Sequence, residues 1–267
     1  MRTVLIAILY TEKEPWKSIW ENGQNKTWNS LNCENIEVIR YTSSYTPRIV
    51  EIYDKLHESL RYKKFFGDFQ SRFDVIQTKF ISRTIPQYRY QEVEKNLLID
   101  CWSTYQLFGR RNLALFDFFM QKTQFDFLYA TNVSSYINKQ KLVETAQSFN
   151  PDKNVYAGPL VLKDSANEFV SGSGKLFSRK LIGNFLSNLS VYPHDTQEDF
   201  ATGKIARDLG VKAVELPMVF LPTPTAALNA SDESLKSNFH FRCKSTAIPR
   251  VDVEIMHILH EKVQNGQ

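Results

Sequence analysis

Short apolar runs rich in β-branched and aromatic residues alternate with segments of helical periodicity along most of the chain. The first run, Val4 to Tyr10, ends in a polar turn, and Trp16, Ile19 and Trp20 then recur at helical spacing. This alternation is typical of an α/β fold with a mostly parallel central sheet flanked by helices, and we predict that class. The predicted strands are Thr3–Tyr10, Ile36–Tyr41, Phe125–Ala130, Val155–Leu162, Lys212–Leu221 and Phe239–Lys244. The predicted helices cover 49–60, 93–120, 139–149, 179–189, 195–210 and 251–263, and Gly109 is a point at which the long second one can break.

Composition excludes several classes of protein. With 267 residues, 42% of them hydrophobic, the chain can bury a sizeable core, and no linker suggests a cut, so we predict one domain over 1–267. The first apolar run is far shorter than the roughly 20 residues of a membrane span and lacks the order of a signal peptide, which predicts a cytoplasmic protein without a membrane span. The net charge of +4 is too small to indicate nucleic acid, and the 19 Phe, 12 Tyr and 4 Trp residues fall mostly at core positions.

Two adjacent carboxylates, Glu198 and Asp199, stand at the start of a predicted helix. The helix dipole favours negative charge there, so the bland interpretation is a stabilised helix terminus. The alternative is catalysis, because a carboxylate within hydrogen-bond reach of a sugar hydroxyl can act as a general base. Both interpretations stay open at this point.

The segment 239–244 alternates strictly between apolar and basic residues. In a strand, His240, Arg242 and Lys244 would therefore share one face. Three cations on one face can bind a diphosphate, with arginine suited to bidentate contacts. The alternative is the solvated face of an edge strand, where lysine also prevents unwanted pairing.

A cluster of small polar residues follows the predicted strand 125–130. Asn132, Ser134 and Ser135 belong to it, and open α/β sheets bind ligands beyond the carboxyl ends of their strands. Such side chains can hydrogen-bond a ribose or a sugar but are poor ligands for hard cations. The cluster would also serve as a simple loop cap.

Two further segments are weaker candidates. Gly172, Ser173 and Gly174 can either form a turn or let the backbone approach a ligand closely. Arg110 and Arg111 are an anion-site candidate, although such a pair is more commonly surface charge.

Taken in order, these segments resemble the glycosyltransferases of the GT-A superfamily, nearest to the fringe and β-1,3-galactosyltransferase-like group. That group has a strand ending in an Asp-rich triplet, then Gly-x-Gly-Tyr-x-x-Ser, then Glu/Asp-Asp-Val-x-x-Gly at a helix start. The ordered similarity covers about residues 93–221. The counterparts here are Phe125–Ser135, Ser171–Ser178 and Glu198–Gly203.

The resemblance implies inverting transfer of a sugar from a nucleotide diphosphate, most often a UDP-sugar, to a hydroxyl of an oligosaccharide or glycoprotein glycan. Residues 1–150 would hold the nucleotide-sugar, and residues 151–267 would hold the acceptor. Asp199 is similar in position to the catalytic base, with Glu198 as its substitute. The donor would contact Thr11, Arg110, Arg111, Asn132, Ser134, Ser135, His240, Arg242 and Lys244, and Gly172, Ser173 and Gly174 would line the cleft.

One departure concerns the metal. Where the family has its metal-binding Asp-x-Asp, this chain has Asn132-Val133-Ser134, so the usual Mn²⁺ or Mg²⁺ is in doubt and we assign no metal ligands. The charge that develops on a departing diphosphate still needs stabilisation, and the basic face of 240–244 is the predicted substitute. A distant carboxylate such as Asp117 or Asp126 remains an alternative ligand. The competing hypothesis is a catalytically inactive sugar-nucleotide or glycan-binding module.

Overall fold

The computed structural model describes residues 2–45, 83–102, 108–122, 124–161 and 168–265. The helix predicted over 49–60 lies outside these ranges. The described strands, in chain order, are β1 Val4–Leu9, β2 Ile36–Tyr45, β3 Tyr88–Gln91, β4 Asn96–Trp102, β5 Phe127–Asn132, β6 Ser135–Ile137, β7 Tyr156–Gly158, β8 Leu160–Val161, β9 Phe169–Val170, β10 Gly174–Ser178, β11 Val214–Glu215, β12 Val219–Phe220 and β13 His240–Arg242.

Eight of these strands form a mixed, mostly parallel sheet in the order β11-β7-β10-β5-β1-β2-β4-β3. The central strand β1 is parallel to both neighbours, with Val4 opposite Ile36 of β2 and Phe127 of β5. Its sequence is continuously apolar because both of its faces are buried, as is usual for parallel strands. Strand β10 comes from the second half of the chain and inserts between β5 and β7, so both halves contribute to one sheet.

Helices cover both faces of this sheet, which confirms the predicted α/β class. None of the described helices is long and apolar enough to cross a bilayer. The described α-helices are α1 Trp16–Ser18, α2 Phe108–Gln121, α3 Lys139–Gln147, α4 Arg179–Ser187, α5 Glu198–Asp208, α6 Pro224–Leu228, α7 Asp232–Ser237 and α8 Asp252–Asn265. On one face α2, α4 and α5 pack over Leu5, Ala7 and Leu128, and on the other α3 and α8 pack over Val4 and Ile6.

Helices α2 and α5 approach each other closely at Gly109. A Cβ atom there would lie 2.8 Å from the Cβ of Ala201 and 2.8 Å from the backbone oxygen of Thr196. Only glycine allows this spacing, which brings the first turn of α5 against α2. The start of α5 is therefore held in place by packing.

Three predicted elements are wrong. The single strand predicted over Val155–Leu162 is two short strands, Tyr156–Gly158 in the large sheet and Leu160–Val161 in a separate two-stranded sheet. The long helix predicted over 93–120 is a strand, β4, followed by the shorter helix α2. In β4 the buried side chains Leu97, Ile99 and Cys101 recur every second residue, the strand period, and this pattern overrides the helical one. The single strand predicted over 212–221 is two short strands separated by residues 216–218, and Pro217 within them has no N–H to donate to a sheet.

A second, three-stranded sheet has the order β12-β13-β6. Strand β13 is antiparallel to β6, with Arg242 opposite Ser135 and His240 opposite Ile137. Because β6 follows β5 after a two-residue turn, this pairing brings the basic strand against the carboxyl end of the large sheet.

Candidate functional site

Three distant segments meet at the carboxyl end of β5. Leu9 at the end of β1 lies opposite Asn132, and Gly174 at the start of the antiparallel β10 lies opposite Thr131. The loop that precedes β10 therefore arrives beside the β5–β6 turn. We call the region formed by Asn132, Ser134, Gly172, Asp199 and Arg242 the strand-end site.

Asn132 joins these segments through its side-chain amide. Its Nδ2 donates to the backbone oxygen of Gly172 at 3.4 Å, and its Oδ1 accepts from the backbone N–H of Ser134 at 3.2 Å. The guanidinium of Arg242 also donates to this Oδ1. On the core side, the amide of the buried Gln24 donates to the backbone oxygen of Asn132 at 3.2 Å, and this bond fixes the turn.

The first turn of α5 faces the same loop. A Cβ atom on Gly172 would lie 3.1 Å from Oε1 of Glu198 and 3.6 Å from Oδ2 of Asp199. Asp199 is half-buried, and its Oδ1 accepts from the backbone N–H of Phe200 at 3.0 Å. Its Oδ2 has no hydrogen-bond partner in the part of the chain that the structure describes. One carboxylate oxygen of Asp199 is thus available to a substrate.

Glu198 is occupied differently. Its Oε1 lies 2.9 Å from the ammonium of Lys175, and its Oε2 lies 3.9 Å from the guanidinium of Arg111. The side chains of Lys175 and Arg111 are only 1% and 2% exposed, so this ion cluster is inside the protein. Glu198 therefore anchors α5 to β10 and α2, and it is a poor candidate for the base.

Lys175 escaped the sequence analysis although a signal existed. It is a single charged residue inside the short strand Gly174–Ser178, all of whose members are buried. A lysine in such a position needs a buried counter-charge. Glu198, at the start of the later helix α5, supplies that charge in the structure.

The expected anion role of the Arg110–Arg111 pair is not supported by its surroundings. The Arg111 guanidinium packs over the rings of Phe108 and Tyr41 and faces Glu198. Arg110 is half-buried, and no hydrogen bond or ion pair within the described ranges links it to Asn132 or Asp199. Both arginines lie outside the strand-end site as far as its contacts show.

The predicted three-cation face on 240–244 needs correction. His240 is fully buried, and its Nδ1 lies 3.0 Å from the Tyr129 hydroxyl while its Nε2 lies 3.0 Å from the hydroxyl of Ser135. Burial, with a smaller effect of the Arg242 charge, lowers the pKa of His240 to about 3. The imidazole is therefore neutral at physiological pH and cannot attract a diphosphate by charge.

The other two members of that face differ from His240. Lys244 is exposed and lies beyond the end of β13. Arg242 is half-buried and reaches Asn132 at the strand-end site. Burial lowers the pKa of Arg242, yet a guanidinium remains protonated at neutral pH. Arg242 is thus the cation of the predicted face that reaches the strand ends.

Two predicted contact residues have structural roles. Ser135 is fully buried, and its hydroxyl donates to the backbone oxygen of Ser173 at 3.4 Å, so it is not accessible to a ribose. Gly174 is required by packing, because a Cβ there would lie 2.1 Å from the Tyr129 hydroxyl oxygen and 2.7 Å from Cε1 of His240.

Thr11 and Ser173 flank the site. Thr11 follows β1, two residues beyond the partner of Asn132, and its hydroxyl accepts from the backbone N–H of Lys13 at 3.4 Å. Ser173 is buried, with its hydroxyl 3.2 Å from the sulfur of Met218. Thr11 therefore lies at the correct edge of the sheet for a ligand contact, whereas Ser173 shapes the loop.

Arg250 is a site residue that the sequence analysis missed. Its Nη2 donates to the hydroxyl of Ser134 at 2.8 Å, and its Nε donates to Oδ1 of the fully buried Asp252 at 3.0 Å. No periodicity distinguishes Arg250, because it reaches Ser134 only through the path of the loop between β13 and α8.

Two surface cavities lie away from the strand-end site. One is lined by residues of α3, α7 and α8, including Lys141, Asp232 and Lys262. The other includes Tyr156, Glu168 and Arg207. Neither is lined by a residue of the strand-end site.

Comparison with protein-family models finds none that matches the chain, and comparison with curated proteins finds no similar sequence.

Proposed function

We propose that the protein is a GT-A-like glycosyltransferase that moves a sugar from a nucleotide diphosphate, with a UDP-sugar as the expected donor, to a hydroxyl of a glycan. The observation that carries the proposal is the convergence of Asn132, the Gly172 loop and Asp199 beyond the carboxyl ends of parallel strands. Ligands of open α/β sheets bind at such an edge. The order of the three segments in the chain supports the same reaction class.

Asp199 is the proposed base. Its free Oδ2 would accept the proton of the acceptor hydroxyl while that oxygen attacks the anomeric carbon. The new bond forms as the bond from the anomeric carbon to the diphosphate oxygen breaks, and the nucleotide diphosphate departs with the electron pair. Attack from the side opposite the leaving group inverts the anomeric configuration.

The loop glycine gives the acceptor room. Because Gly172 has no side chain, the space beside Oδ2 of Asp199 stays open on the loop side. The donor would lie along the strand ends, with Thr11, Asn132 and Ser134 as polar contacts to ribose or sugar. These small hydroxyl and amide groups suit hydrogen bonding to a sugar.

The residues of the strand-end site do not fit the divalent cation used by the family that the chain resembles. At the position of its Asp-x-Asp, the Oδ1 of Asn132 already accepts from the Arg242 guanidinium. Among the described residues, no three His, Cys, Asp or Glu side chains are grouped as metal ligands. Asp126 precedes β5 and lies at the opposite edge of the sheet, and Asp117 accepts from the Tyr88 hydroxyl at 2.6 Å.

Turnover of a panel of UDP-, GDP- and dTDP-sugars with a mixture of glycan acceptors tests the proposal. We expect release of one nucleoside diphosphate by the wild type and a loss of about 10²-fold or more in Asp199→Asn. The exposed neighbouring carboxylate provides a matched control, because Asp195→Asn removes the same charge outside the site. Equal activity of Asp199→Asn and wild type would refute the base assignment.

The second candidate is a catalytically inactive sugar-nucleotide or glycan-binding module. The observation that favours it is the missing carboxylate at Asn132-Val133-Ser134. It predicts saturable binding of a sugar nucleotide without turnover, and with no difference between wild type and Asp199→Asn.

A further inference from the structure

Two arginines from the C-terminal part of the chain reach the β5–β6 turn. Arg242 ends β13 and donates to Oδ1 of Asn132, and Arg250 precedes α8 and donates to the hydroxyl of Ser134 at 2.8 Å. Their two acceptors, Asn132 and Ser134, are separated in the chain by Val133 alone. The guanidinium groups therefore lie on the same short turn at the strand ends.

Most of the N–H donors of Arg242 are not used within the described part of the chain. A guanidinium has five N–H donors, and the single side-chain hydrogen bond of Arg242 within the described ranges goes to Asn132. No carboxylate within those ranges forms an ion pair with it. Its Nε and Nη2 have no hydrogen-bond partner in those ranges and are not fully buried, so they can donate to an incoming ligand.

The charge of Arg250 is partly neutralised by Asp252, but not all of its N–H donors are occupied. Its Nε and Nη2 bind Asp252, and Nη2 also binds Ser134, which leaves Nη1 without a partner in the described part of the chain. Because Asp252 is fully buried, it holds this guanidinium in place. The group formed by the two arginines and Asp252 has one net positive charge.

We propose that Arg242 and Arg250 form an anion site that binds a diphosphate without a metal ion. The identity of the diphosphate, that of a sugar nucleotide, rests on the proposed function, whereas the anion site itself does not. Paired guanidinium forks match phosphate oxygens, and they would stabilise the charge that collects on the leaving group. Arg250 and Arg242 replace the set His240, Arg242 and Lys244 expected from the sequence.

The arrangement also disfavours a cation at this position. The side-chain oxygen Oδ1 of Asn132 faces a guanidinium, and a divalent ion placed there would lie close to one or both positive groups. Binding of the diphosphate is therefore independent of Mn²⁺ and Mg²⁺.

Calorimetric titration with inorganic pyrophosphate in EDTA tests the site directly. We expect saturable binding by the wild type, and binding weaker by about tenfold or more in Arg242→Gln, because charge-assisted hydrogen bonds are lost. Arg89→Gln is the matched control, since Arg89 is exposed on the edge strand β3 and its loss removes the same charge. It should bind as the wild type does.

Two more variants keep the proposal testable if Arg242→Gln does not fold. Arg250→Lys retains a charge opposite Asp252 but loses the planar fork, and we expect weaker binding. Asn132→Asp places a carboxylate against Arg242 and should weaken binding by about tenfold or more through charge repulsion. Thermal melts confirm that each variant is folded.

The outcomes separate the two proposals. Absence of pyrophosphate binding in EDTA, binding that requires Mn²⁺ or Mg²⁺, or an equal loss in Arg89→Gln would each overturn the anion site. Pyrophosphate binding that depends on Arg242, without binding of any UDP-, GDP- or dTDP-sugar, would leave the anion site standing and remove the transferase.

Discussion

The ammonium of Lys175 and the carboxylate of Glu198 form an ion pair of 2.9 Å, with side chains that are 1% and 10% exposed. This pair joins strand β10 to the first turn of α5. Asp199 is the next residue, so its position relative to the Gly172 loop depends on the pair.

We predict that Lys175→Met lowers the free energy of unfolding by about 3–5 kcal/mol, because it leaves the Glu198 carboxylate buried without its nearest counter-charge. Urea denaturation measures the change. The exposed pair of Lys204 and Asp208 is the control, and Lys204→Met should cost about 0.3–0.5 kcal/mol. Similar losses in the two variants would contradict the buried role of Lys175.

Gly174 and Gly183 should respond in opposite directions to alanine. A methyl group at Gly174 would collide with the Tyr129 hydroxyl, so Gly174→Ala should destabilise the protein by about 1–3 kcal/mol or more. Gly183 lies inside α4 with its nearest neighbour, the terminal carbon of Met120, at 3.6 Å. Gly183→Ala should stabilise it by about 0.5–1 kcal/mol, and urea midpoints that fail to separate the two would refute this packing.

We predict that the free energy of unfolding decreases in acid, because His240 is buried in its neutral form. In the unfolded chain it takes up a proton near pH 6.5, whereas burial lowers its folded pKa to about 3. The unfolded state therefore binds more protons between these values, and stability is full above pH 6.5 and falls as the pH decreases. The slope from this group approaches about 1.4 kcal/mol per pH unit.

The measurement compares wild type with His240→Gln by urea denaturation at pH 7.5, 6.5, 5.5 and 5.0. Burial lowers the pKa of His194 and His260 as well, but both are present in the two proteins, so the difference isolates His240. A wild-type pH dependence parallel to that of the variant would show that His240 titrates normally.

The Gly172 loop should be sensitive to side-chain size. In Gly172→Val the new side chain enters the space beside Glu198 and Asp199, so we expect transfer to slow by about 10²-fold. Initial rates with a saturating donor measure this effect, with Gly183→Ala as a glycine control outside the site. Unchanged rates in Gly172→Val would place the acceptor elsewhere.

The local parts of the fold were predictable from sequence. The run at 3–10 gives β1, and the acidic pair at 198–199 marks the start of α5, because apolar continuity and helix-start charges are local signals. The stretch 96–102 is ambiguous in the sequence because Leu97, Leu98 and Ile99 suit a helix as well as a strand. Pairing with β2 and β3 decides its structure.

The site was predictable only in part. Alternation places His240 and Arg242 on one face of a strand, but whether that face meets the core or solvent depends on β6 and Tyr129, which are distant in sequence. Arg250 reaches Ser134 through a loop, for which no periodic signal exists. Long-range contacts of this kind follow from tertiary structure and not from local pattern.

The central claim is that the strand-end site binds a sugar nucleotide, and calorimetric titration of UDP-, GDP- and dTDP-sugars in EDTA tests it most directly. We predict saturable binding of at least one donor by the wild type, retained in Asp199→Asn and weakened about tenfold or more in Arg242→Gln. Failure of every donor to bind, in EDTA and with Mn²⁺ or Mg²⁺ alike, would contradict the account.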